Sequence, residues 1–227
     1  MGSVVAAAVA FVGTHFLLSH PLRRPIVARI GEGGFLGVYS LVAFAMLIWL
    51  AIAYRVAPET PMLWPVGDAI WAVATVVMLL ASMLLMGSLV RNPAMPDPTG
   101  KTVAPTEARG VYAITRHPMM WAFALWGACH AAVYPIAANL VLVAAIVVLA
   151  LVGAVMQDRK KEALLPEMWP GWEAKTSYWP FAAIAQRRAR FGGFGMHTLA
   201  GGAVVWLVAT WAHIPLANWA AGAWRWI

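Results

Sequence analysis

Residues 118–156, PMMWAFALWGACHAAVYPIAANLVLVAAIVVLALVGAVM, contain no Asp, Glu, Lys or Arg. A run this apolar belongs in hydrocarbon, and the question is how it crosses. As one helix, at about 1.5 Å per residue, it would overshoot a hydrocarbon core of about 30 Å. Pro135 and Asn139 interrupt it. Proline has no N–H to donate and asparagine favours turns, so residues 134–139 are expected to form a tight hairpin between two spans, 118–134 and 137–156.

Four more apolar segments lie outward from this hairpin, at residues 3–19, 34–54, 68–90 and 198–220. Most approach the roughly 20 residues that a spanning helix needs. The expected fold is therefore all-α: one domain over residues 1–227, a polytopic membrane bundle of six transmembrane helices. Composition agrees. The chain is 62% hydrophobic and 11% charged, where a soluble domain carries about a quarter charged residues. Its 13 tryptophans suit a membrane–water boundary. The single cysteine, Cys129, excludes an internal disulfide. No basic stretch precedes the first apolar segment, so that segment is expected to be a retained span rather than a cleaved signal.

The net charge of +7 is distributed by side. Fourteen of the 16 Lys and Arg fall in the first, third and fifth loops, and only Arg55 and Arg225 fall on the other side. The positive-inside rule then places those three loops in the cytoplasm and both termini outside. The same distribution argues against a nucleic-acid partner and for contacts with membrane lipid phosphate. The third loop, 91–116, with Pro93, Pro96, Pro98 and Pro105, is too polar to be embedded. The fifth, 157–190, mixes charges with Trp169, Trp172, Trp179 and Phe181, which predicts a cytoplasmic interfacial segment.

Histidines carry the candidate chemistry. An ionisable side chain within a span must find a partner, which marks it as a candidate site. His130 lies in the fourth segment, His15 in the first and His213 in the sixth. Two imidazoles on different spans suggest a metal or haem clamp; two imidazoles hydrogen-bonded across helices would serve as glue alone. His15 and His130 are expected to differ in depth by roughly 6 to 10 Å. A shared iron is allowed by that figure but not demanded, and His213, at a depth comparable to His130, competes as the partner. Cys129 points roughly 100° away from His130 on the helix and reads as a packing residue. At the start of the fourth span, Thr115-Arg116-His117-Pro118 offers a helix N-terminus. Pro118 suits the first turn, and Arg116 is best explained there by a bound anion: a propionate, the carboxylate of S-adenosylmethionine or lipid phosphate.

The segments His15-Phe16-Leu17-Leu18-Ser19, Gly37-Val38-Tyr39-Ser40-Leu41, Thr115-Arg116-His117-Pro118, Ala124-Leu125-Trp126 through His130, and Trp172-Glu173 through Phe181 resemble the NnrU family of membrane proteins. Bacterial members are associated by name with nitrite and nitric oxide metabolism, and a plant relative, zeta-carotene isomerase, is a haem b protein. The resemblance implies haem b held by His15 and His130 in a bacterial inner membrane, with both termini then periplasmic, and a hydrophobic small molecule or nitric oxide as its partner. With haem as the anion's source, Arg116 is expected to hold a propionate and His117, kept neutral by the helix dipole, to stand beside it as a donor rather than an iron ligand. The plant relative has a cysteine three residues before the second histidine, where this chain has Gly127. A more distant likeness, through Arg-His-Pro followed by Glu162 and Leu165, is to isoprenylcysteine-type membrane methyltransferases, and it implies S-adenosylmethionine as the alternative cofactor. Met120 and Lys161-Glu162 stand where those enzymes have a tyrosine and a glutamate pair. A non-enzymatic accessory subunit is the third reading.

Overall fold

The computed structural model describes residues 1–95 and 103–227. Pro96, Pro98 and Lys101 of the third loop lie outside the described residues. All regular structure among the described residues is helical. The long helices are α1 (Gly2–Ser19), α2 (Arg23–Arg55), α3 (Asp68–Ser88), α5 (Pro118–Val133), α6 (Ala137–Leu164) and α9 (Met196–Ala217). Three short helices, α4 (Val111–Ile114), α7 (Trp169–Lys175) and α8 (Ala182–Ala185), and a 3-10 turn (Gly222–Arg225) complete the set.

Among the described residues, five helices are long and apolar enough to cross a membrane: α1, α2, α3, α6 and α9. The expected fourth span is α5, with 16 residues, about 24 Å long. Pro118 sits at its first turn, where a missing N–H costs nothing. At the far end Tyr134, Pro135 and Ile136 make the hairpin. Asn139, in the first turn of α6, donates its amide to the carbonyls of His130 at 2.9 Å and Tyr134 at 2.7 Å. A side chain from the next helix thus adds a second bond to two carbonyls at the turn, each of which already accepts one backbone N–H, from Tyr134 and Ile136 respectively.

Two boundaries differ from those expected. The first loop is largely helical, because α2 already begins at Arg23. Gly31, at φ 74°, kinks it there, in a region a side chain rarely adopts. Arg23 and Glu32 form an ion pair across that kink. At the other extreme α6 runs on to Leu164, through the charged run that hydropathy assigned to a loop.

The helices pack as two groups. In one, α1 packs on α2 and on α6; in the other, α3 packs on both α5 and α9; α5 against α6 joins them. Val4, Ala7, Phe11, Leu50, Ala53 and Ala145 fill the first group. Trp71, Ala74, Cys129 and Val133 fill part of the second. Small residues set the closest approach. A Cβ on Gly202 of α9 would stand 2.8 Å from the Cα of Met83 on α3. Large apolar side chains such as Leu41, Phe44, Val73 and Val204 are left exposed on the outside, the arrangement of a membrane protein whose outer solvent is lipid.

At the end that carries the basic loops, the fifth loop folds back as a packed cap. Trp169 and Trp172 are 0% and 1% exposed, set against Tyr112, Val111 and Ile114. Only Trp179 and Phe181 remain outside, at 64% and 58% exposure, in the position expected of a boundary residue. Two buried tryptophans therefore serve packing, which a mixture of charge and aromatics does not distinguish from a surface-lying segment.

Candidate functional site

Two cavities and one ion cluster concentrate the candidate residues. The cluster lies where α5 begins. The cap fixes its backbone: the Arg116 N–H donates to the Ser177 carbonyl at 2.8 Å and the Phe181 N–H to the Ile114 carbonyl at 2.7 Å. The Thr115 hydroxyl donates to the Tyr178 carbonyl at 2.8 Å. Side chains follow from that framework. Arg116 donates to one oxygen of Asp158 through Nε at 2.8 Å and Nη2 at 2.5 Å. The same Nη2 is 3.1 Å from Glu173 Oε1. His117 Nε2 meets the other Asp158 oxygen at 2.6 Å, and the His117 residue is 2% exposed. Burial pushes the Glu173 carboxyl up from its ordinary range, with Arg116 opposing and Asp158 adding to the rise.

The anion expected at Arg116 is thus supplied by the chain itself, from Asp158 and Glu173. Sequence reading singled out Arg116 and His117 but not Asp158. Its signal was the lone acid in Gln157-Asp158-Arg159-Lys160-Lys161, which looks like part of a solvated run until α6 is seen to continue through it. Glu162, the other half of the methyltransferase likeness, is exposed while Arg116 and His117 turn to Asp158.

The first cavity, about 440 Å³, lies within the α3–α5–α9 group and is lined by Tyr54, Met78, Trp126, His130, Trp206 and His213 among others. His130 Nδ1 is 2.8 Å from the Trp126 carbonyl, and His213 Nδ1 is 2.7 Å from the Ala209 carbonyl. Each Nδ1 must carry a proton to make that bond, and in the neutral tautomer of such a ring Nε2 is the nitrogen with the lone pair. The two rings are 6.0 Å apart between centroids, and His130 lies over Trp126 at 4.2 Å. Cys129 also lines this cavity, packed among Trp71 and Val133.

His15 opens into the second cavity, about 590 Å³, between α1, α2, α5 and α6. Its Nδ1 is 2.6 Å from the Phe11 carbonyl, and its ring meets Phe11 and Tyr39 edge-on. Trp126 lines both cavities. The structure therefore brings His130 and His213 into one chamber and places His15 in the next. His197, near the start of α9, is close to the Met86 carbonyl at 3.2 Å, away from both. Among the described residues no three of His, Cys, Asp and Glu cluster as a metal site would require.

No curated protein and no solved structure matches the chain. A family model described as NnrU protein matches residues 3–221, nearly the whole length. The chain belongs to the NnrU family.

Proposed function

We propose that this membrane protein binds haem b, with His130 as one iron ligand and His213 as the other, and that it sits in a bacterial inner membrane with both termini periplasmic. One observation carries the reading. Two imidazoles from different helices share an apolar cavity, each anchored through Nδ1 to a backbone carbonyl, which leaves Nε2 as the ring nitrogen free to meet a ligand. That is the orientation of a metal-bound histidine, whose second nitrogen is usually tied to a carbonyl or carboxylate. Two nitrogen donors suit a porphyrin, which brings its own equatorial ligands. They do not suit structural zinc, which takes four from the protein.

Bound haem would supply an iron suited to electron transfer or to binding nitric oxide, with His130 and His213 as the residues that would hold it. The chain's own part is to hold and seclude. The Trp126 ring fixes the plane of His130 from one side, and Asn139 ties the His130 carbonyl to α6. The apolar lining keeps out water, which sets the polarity the iron would feel. The link to nitrite and nitric oxide metabolism rests on the family name alone.

The visible spectrum of the purified, haem-supplemented protein tests this. A Soret band is expected, lost in His130→Ala, altered in His213→Ala and retained in His15→Ala. No Soret band in the parent protein refutes the reading. Loss in His15→Ala with retention in His213→Ala assigns the ligands to His15 and His130, the pair the plant relative implies.

A further inference from the structure

The second cavity has a polarity gradient along its length. Phe11, His15 and Ser19 are spaced by four and share one face of α1, and all three line it. Phe16, Phe35, Leu36 and Phe123 add apolar wall. Polar residues gather at the end where α1 stops: Ser19, His20, Gln157 and Lys160.

Most polar groups at that end are already engaged. The Gln157 amide donates to the Ala94 carbonyl at 2.6 Å, the Lys161 ammonium to the Met95 carbonyl at 3.0 Å, and Arg23 pairs with Glu32. Lys160 is only partly exposed, lines the cavity and donates no hydrogen bond to another described residue. Its charged neighbours are Arg23, Lys161 and Glu32, two cations and one carboxylate. His20 also feels its charge, and burial together with Lys160 holds the His20 ring below its ordinary protonation range. A partly desolvated ammonium without an acceptor is unfavourable, so this end of an apolar chamber is arranged for an anion.

We propose that the second cavity binds a single-chain anionic amphiphile, its carboxylate or phosphate head on Lys160 and its tail along the α1 face past His15 toward Phe11. The site is separate from the His130–His213 chamber and does not depend on haem. A chamber of a few hundred cubic ångströms with one convergent charge is the form small-molecule sites take.

A palmitate analogue carrying a mid-chain diazirine, photolysed with the detergent-purified protein, is the test. Label is expected on peptides containing Phe16, Phe35 or Phe123. Excess palmitate or hexadecyl phosphate should displace it, and the better competitor identifies the head group, while hexadecanol should displace it poorly. Lys160→Gln should weaken labelling about tenfold or more, the worth of one charge-assisted bond. Lys160→Arg should restore most of it, and the visible spectrum should be unchanged in both variants. Label confined to outward-facing residues, equal competition by hexadecanol, or undiminished labelling in Lys160→Gln overturns the proposal. So does loss of a Soret band in His15→Ala, which gives the chamber to haem. A parent protein without haem that still labels at Phe16, Phe35 or Phe123 refutes the haem reading alone.

Discussion

Replacing Asp158 with asparagine removes the charge that holds Arg116 and His117 together. The cluster is well shielded: the Arg116 and Asp158 side chains are 13% and 9% exposed. Asp158 accepts at 2.8 and 2.5 Å from Arg116 and lies 2.6 Å from His117 Nε2. Removing one partner of a buried ion pair costs about 3–5 kcal/mol, because the other charge stays buried. Two features place this site at the low end. Arg116 keeps Glu173 at 3.1 Å, and the asparagine oxygen can still accept one bond. The expected loss for Asp158→Asn is about 3 kcal/mol, read as unfolding free energy from reversible SDS titration in mixed micelles followed by tryptophan fluorescence. A companion pair sharpens the test. Asp158→Leu leaves the guanidinium with the half-buried Glu173 as its sole carboxylate, whereas Asp158→Leu with Arg116→Met removes the buried pair and should recover part of the loss. A change for Asp158→Asn within about 0.5 kcal/mol, the size of an ordinary surface substitution, refutes the assignment, as does a double variant less stable than Asp158→Leu alone.

Gly202→Ala should destabilise by about 1–3 kcal/mol in the same titration, since the added methyl meets Met83 backbone rather than a movable side-chain tip. Gly201→Ala, whose nearest neighbour is the Met86 methyl at 3.0 Å, should cost less. Asn139→Ala should cost about 0.5–1.5 kcal/mol by removing the side-chain bonds that tie α6 to the end of α5, each carbonyl keeping one backbone N–H, and hydrogen exchange should rise around residues 130–140. Periplasmic reporters fused after Ile227 should be active and cytoplasmic ones silent, following the division of basic residues; the opposite pattern inverts the topology.

The hairpin at Pro135 was legible in the sequence because proline and asparagine act locally, and the apolar helices because lipid allows little alternative. The ends of α2 and α6 were not. Hydropathy marks where hydrocarbon stops, whereas helical hydrogen bonding continues through Arg23–Ile30 and Asp158–Leu164 because the backbone must still be paired. Asp158 was hidden for the same reason: its meaning depends on α6 carrying it beneath the start of α5, 42 residues away in sequence from Arg116. The histidines stood out one by one as polar groups in apolar runs. Their grouping, with His213 beside His130 and His15 beyond Trp126, depends on the order in which helices pack, which no single segment encodes.

Trp126 makes that separation a matter of one indole. Its ring lies 4.2 Å from His130, and the residue also borders the chamber of His15, so the two compartments share it as a common lining residue. Any molecule that favours one orientation of this side chain alters what the neighbouring compartment can accept. Thermodynamic linkage then requires equal trade in both directions: whatever factor an occupant of the first imposes on affinity in the second, the second returns.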